Sequence, residues 1–213
     1  MNISFDATAN INNVGTPGTT LSGSHTMGTG NSGIVWVFVT ANASATVSSL
    51  TYGGVAMTAS VNAAYSTARL RAYYLLNPPS GSNTVSITVS TSATIIMFVS
   101  SYFNVHWYDV INTSAIAENA TGGTELATSV ITTKNNCWCV GFARTNGTPT
   151  LGGSGYTQRL IQSTIILADT NGAITPAGTS TMTTTYTPSG SVNSHILIAL
   201  TPVQDTPVSG FFM

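Results

Sequence analysis

Charge is what this sequence has least of. Asp, Glu, Lys and Arg together make up 5% of its residues, against about 25% in an ordinary soluble domain. Hydrophobic residues nevertheless reach 42%, so the pairing of low hydrophobicity with high net charge that keeps chains disordered is absent. The chain is expected to fold with a polar surface of Ser, Thr and Asn. Its net charge of −1 favours association over isolation in solution. The five basic residues, Arg69, Arg71, Lys134, Arg144 and Arg159, are dispersed and balanced by six acids. No stripe that could neutralise phosphates results, and nucleic acid is not expected as a partner.

Long apolar runs are missing too. Ile34 to Val39 and Ile95 to Val99 fall far short of the ~20 residues with which a helix spans a bilayer, so no membrane insertion is expected. The opening Met1-Asn2-Ile3-Ser4-Phe5-Asp6 has neither the basic nor the apolar region of a secretory signal, which points to synthesis in a cytoplasm. No stretch repeats apolar residues at helical spacing; Ser114 to Ala120 comes nearest and is too short.

Catalytic patterns are equally scarce. Gly152-Gly153-Ser154-Gly155-Tyr156 lacks the final glycine of a nucleophile elbow and reads as a glycine-rich loop. His25, His106 and His195 share no metal-binding spacing, and His25 and His195 read as satisfied core residues. Asp169-Thr170-Asn171-Gly172 opens like a calcium loop, but Ser180 stands where the closing glutamate belongs, so a hairpin turn is expected. No pair of carboxylates suggests glycosidase chemistry. No catalytic residue, cofactor or metal site is assigned.

What is present is alternation of period two. Val85, Ile87 and Val89 interleave with Thr84, Ser86, Thr88 and Ser90, the pattern of a strand with one buried face. Gly, Pro, Asn and Ser clusters interrupt the chain at intervals of roughly ten residues. Tyr52-Gly53-Gly54-Val55 fits a two-residue hairpin with both central residues at positive φ. Asn77-Pro78-Pro79-Ser80-Gly81 cannot continue a strand. The expected fold is all-β, a two-sheet antiparallel β-sandwich forming one domain over residues 1–201. Residues 202–213 follow as an extended tail.

The strands Ile34 to Val39, Ile95 to Val99 and Ile196 to Leu200 are apolar on both faces. One face of an antiparallel sandwich ordinarily meets solvent, so either more of the same chain or another subunit must cover the second. Val35, Val37 and Val39 are the candidate subunit-contact row on one face, with Ile34, Trp36 and Phe38 on the other. Phe211 and Phe212, near a terminus that would normally be polar, are candidate docking residues on a neighbouring subunit. Cys137 and Cys139 stand two apart on one strand, ~6.5 Å along it and poorly oriented for a bond. They read as buried free thiols or as cross-links between subunits. Trp107 and Tyr108 are a candidate glycan-stacking pair, with packing onto the sandwich as the alternative.

The order of several segments resembles a known domain. Ile3-Ser4-Phe5-Asp6-Ala7, Ser24-His25-Thr26, Ile34 to Val39, Ser48 to Thr58 with its Tyr-Gly-Gly turn, and Ala72 to Val85 with its Asn-Pro-Pro turn carry the likeness, closed by Ile196 to Val203. They resemble a jelly-roll, lectin-like β-sandwich family that recurs in bacteriophage virion proteins and bacterial cell-surface proteins. The resemblance implies a jelly roll used for building and display. The expected function is that of a non-enzymatic bacteriophage virion protein, a capsid decoration or cement subunit or a small tail or fibre subunit. It would be a homo-oligomer, in contact with other virion proteins and located in the virion. A carbohydrate-binding or adhesive module at an extracellular surface is the alternative, and a filament or surface-layer subunit a further one.

Overall fold

The computed structural model describes residues 1–65, 68–119, 123–145, 147–187 and 193–204. The first group of strands is β1 (Ser4–Asn12), β2 (Gly18–Met27), β3 (Ile34–Asn42), β4 (Val47–Tyr52), β5 (Val55–Ala56), β6 (Thr58–Tyr65), β7 (Ala68–Leu76), β8 (Gly81–Ala93) and β9 (Ile96–Phe103). The second is β10 (Ile111–Asn119), β11 (Glu125–Ile131), β12 (Trp138–Arg144), β13 (Thr148–Gly152), β14 (Thr157–Gln162), β15 (Ile165–Asp169), β16 (Thr179–Thr187) and β17 (Asn193–Leu200). Gly53 and Gly54 both take positive φ and close the β4–β5 hairpin, with Tyr52 opposite Val55.

These strands form an all-β antiparallel sandwich of four sheets where two were expected. Their orders are β2-β8-β4-β5, β1-β9-β3-β7-β6, β10-β17-β12-β15-β14 and β11-β16-β13. The sheets stack in that order because each inner sheet is apolar on both faces. Ile34, Trp36 and Phe38 of β3 meet Trp138, Val140 and Phe142 of β12 in a central core. The opposite face of β3 packs on Leu50, Val85, Ile87 and Val89. The opposite face of β12 packs, through Cys139 and Ala143, on Val130 and Met182.

The two halves repeat one plan. β1-β9-β3-β7-β6 corresponds strand for strand to β10-β17-β12-β15-β14, and β2-β8-β4 to β11-β16-β13. With Ile34 placed on Trp138, the registers coincide. Phe38 lies between Ala72 and Phe98, and Phe142 between Leu167 and Ile196. Even the bulges recur. One follows Phe5 in β1 and its counterpart follows Ile111 in β10; one follows Ala59 in β6 and its counterpart follows Gln158 in β14. The halves meet through equivalent faces, as two copies related by a twofold axis would.

Ser114 to Asn119, too short to be expected as a helix, lies within strand β10. One further expectation changes. Pro202 and Val203, the start of the expected tail, stay pinned: Pro202 bridges Val105, and the Val203 amide donates to the Asn104 carbonyl at 2.9 Å.

Candidate functional site

The connector between the halves, residues 104–110, builds the most exposed aromatic group among the described residues. Val105 and Val110 are buried in the central core, and the intervening residues are forced outward. The His106 amide donates to the Thr201 carbonyl at 2.8 Å, and the Thr201 amide to the Val110 carbonyl at 2.9 Å, so the projection is anchored on both sides. Trp107 is 63% and Tyr108 71% exposed. The Tyr108 ring stands at 83° to His106 with centroids 4.2 Å apart, and at 85° to Trp107 at 4.7 Å. His106 Nδ1 accepts from the Asp109 amide at 3.2 Å, and the Asp109 carboxylate is paired with Lys134. The three rings form two edge-to-face pairs sharing Tyr108, with the Asp109 carboxylate next in sequence and its Lys134 ammonium partner beside it. Such a surface can stack on the apolar face of a sugar while charged groups meet its hydroxyls.

The other sequence candidates lie elsewhere. Val35, Val37 and Val39 are wholly buried inside the chain, covered by the β2-β8-β4-β5 sheet. Their assignment as a subunit-contact row is therefore corrected: the second face of β3 is closed by the chain's own outer sheet. Phe211 and Phe212 lie outside the described residues. Cys137 and Cys139 are free and buried. Burial pushes both thiols up, Cys139 to about 11, so neither supplies a thiolate near neutral pH.

Three polar clusters were not readable from sequence, because their members come from distant strands. Ser101 donates to Asp6 Oδ2 at 2.7 Å and faces His25 Nε2 at 3.3 Å, while His25 Nδ1 meets the Tyr52 hydroxyl at 3.0 Å. A serine, a histidine and an aspartate are adjacent here, yet the carboxylate holds the serine and not the imidazole, the reverse of a nucleophilic triad. Ser101 is also fully buried. His195 sits between the Thr128 hydroxyl at 3.0 Å and the Thr184 hydroxyl at 2.6 Å, and burial pulls its pKa down to about 3. Arg159 is the extra residue of the β14 bulge, which re-aims its side chain. It grips Asp169 through two bonds of 2.8 and 2.9 Å and covers the Phe5 ring at 3.9 Å. Tyr102 donates to the same carboxylate at 3.0 Å. This cluster ties the second half to β1 and β9 of the first.

Among the described residues no three His, Cys, Asp or Glu side chains gather to hold a metal ion. Comparison with known protein families, with curated proteins and with solved structures finds no match.

Proposed function

We propose that this chain is a non-enzymatic structural protein of a bacteriophage virion, a capsid decoration or cement subunit or a small tail or fibre subunit, working through contacts between copies and with other virion proteins. The observation that carries this reading is the chemistry of the two outer sheets. On the outward face of the β2-β8-β4-β5 sheet, Thr20, Thr88 and Ser49 form one cross-strand row and Ser22, Ser86 and Thr51 the next. On the outward face of the β11-β16-β13 sheet, Thr181, Thr183 and Thr185 run down the central strand, with Ser129 and Thr150 beside them. Glu125 is the one ionisable side chain among these rows. Hydroxyls repeat about every 6.5–7 Å along each strand and about 4.8 Å across strands. A nearly uncharged lattice of this kind raises little electrostatic barrier to a facing copy, and many weak contacts sum by avidity. The strand order of each half, in which successive strands cross between the two sheets except within the β4–β5, β6–β7 and β14–β15 hairpins, supports the jelly-roll reading. Light scattering of the full chain tests the proposal: assembly well above the 22.0 kDa monomer is expected, and a strict monomer contradicts it.

The connector aromatics favour a second reading, a carbohydrate-binding or adhesive surface module. Binding on a glycan array that Trp107→Ala or Tyr108→Ala abolishes would support it. Binding unchanged in both variants, or no binding at all, would contradict it.

A further inference from the structure

Arg71 is the least accounted-for buried charge among the described residues. It stands on β7 opposite Val39 on one side and Asn62 on the other and is only 9% exposed. Its Nη2 donates to the Ala45 carbonyl at 2.9 Å, while its Nη1 is buried without any acceptor. Lys134 and Arg159 each have a carboxylate partner; Arg71 has none among the described residues. Arg69, two residues away, lies on the same face of the strand and adds like charge. Burial foremost, and Arg69 with it, lowers the Arg71 pKa, against the opposing pull of Tyr73. An arginine stays protonated in a protein regardless, and burying a guanidinium without an anion is unfavourable.

The fold itself does not require a cation there. The corresponding residue of the second half, opposite Ala143 as Arg71 is opposite Val39, is Ile166, buried in an apolar core. The difference between the halves coincides with a cavity. Beside Arg71, the β6 bulge sets Ser60 and Val61 against Ala72 alone, and a space of ≈290 Å³ opens between this edge and the start of β4. Thr46, Ser60, Asn62 and Tyr73 line it together with Arg71. No carboxylate lines it to compete for the guanidinium. The volume lies at the small end of ligand pockets, which run roughly 300–1,000 Å³.

We propose that this cavity is an oxyanion-binding site in which Arg71, backed by Arg69, takes the carboxylate or phosphate group of a ligand about the size of a monosaccharide. The planar guanidinium suits either group, since both present two oxygens to its fork. Thr46, Ser60, Asn62 and Tyr73 supply hydroxyl and amide groups for the remainder of the ligand. The site is independent of the assembly reading, because it opens at a sheet edge and uses none of the outward hydroxyl rows.

The test uses the full chain at constant ionic strength, titrated with inorganic phosphate or with glucuronate and followed by amide chemical shifts and calorimetry. Saturable shifts centred on Thr46 and residues 59–62 are expected. Arg71→Lys should weaken binding roughly tenfold, as a point charge replaces the fork, and Arg71→Met should abolish it. Tighter binding of glucuronate assigns a carboxylate ligand and tighter binding of phosphate a phosphorylated one. Should Arg71→Met fail to fold, Ser60→Phe fills the cavity from the bulge while leaving the guanidinium in place, and it should block both probes. Absence of saturable shifts with either probe, or binding untouched by Arg71→Met or by Ser60→Phe, overturns the proposal.

Discussion

His195 shows how this chain satisfies polar groups in its interior. Its imidazole is fully buried, held between two threonine hydroxyls from β11 and β16 and kept neutral, with a pKa near 3 in place of the ordinary 6.5. The unfolded chain takes up a proton below pH 6.5 that the folded chain refuses until about pH 3. Stability is therefore whole above pH 6.5 and falls as the pH drops toward 3, by about 1.4 kcal/mol per pH unit from this residue. His25, also lowered by burial, adds a loss of the same sign. Urea denaturation between pH 7 and pH 5 should show this slope, and His195→Gln should flatten it; an unchanged slope would contradict the account. The burial of His195 was legible in its apolar run, but its partners were not, being 67 and 11 residues away in sequence. The hairpin expected at Asp169–Gly172 is not formed: β15 and β16 belong to different sheets, and Asp169 ends β15 with its carboxylate accepting from the Asn171 amide at 2.9 Å, while its partners Arg159 and Tyr102 are set by folding alone.

At the level of strands, spacing between sheets depends on particular small residues. Gly141 of β12 faces the β11-β16-β13 sheet, and a Cβ there would lie 2.0 Å from Met182 Sδ and 3.4 Å from Leu197 Cδ1. Gly141→Ala should cost about 1–3 kcal/mol by overpacking. Combining it with Met182→Ala should cost less than the sum of the single changes; strict additivity in chemical denaturation would show that the contact is not the cause. Strands with strict alternation, such as Val85 to Val89, were readable directly, and so was the Gly53-Gly54 hairpin. Strand β10 was not, because Ala115, Ile116 and Ala117 run together and the exposed row Ser114, Ile116 and Glu118 carries an isoleucine, so the half-buried and exposed rows leave no clean two-residue period in the sequence. The doubly apolar strands announced a second cover but not its source. Val35, Val37 and Val39 signal burial whichever chain supplies the covering sheet.

The molecule as a whole is a structural repeat whose halves share strand order, register and two bulges while differing in side chains. Ile34 stands where Trp138 does, Arg71 where Ile166 does, and Tyr74 where Asp169 does. That divergence hid the repeat from the sequence and made four sheets read as two. Among the described residues the doubly apolar strands are buried internally and the outer sheets present mostly serine and threonine, with Ile131 and Val55 also exposed, so the proposed assembly would use those sheets and the sheet edges. The most direct measurement is light scattering coupled to size exclusion, comparing the unaltered chain with the double variant Ser86→Lys, Thr183→Lys. Both substituted side chains point outward, so the fold should survive, as a near-unchanged melting temperature would confirm. The account predicts a defined oligomer for the unaltered chain and dissociation toward 22.0 kDa for the variant. A monomer in both cases, or an oligomer indifferent to the added charges, would contradict it.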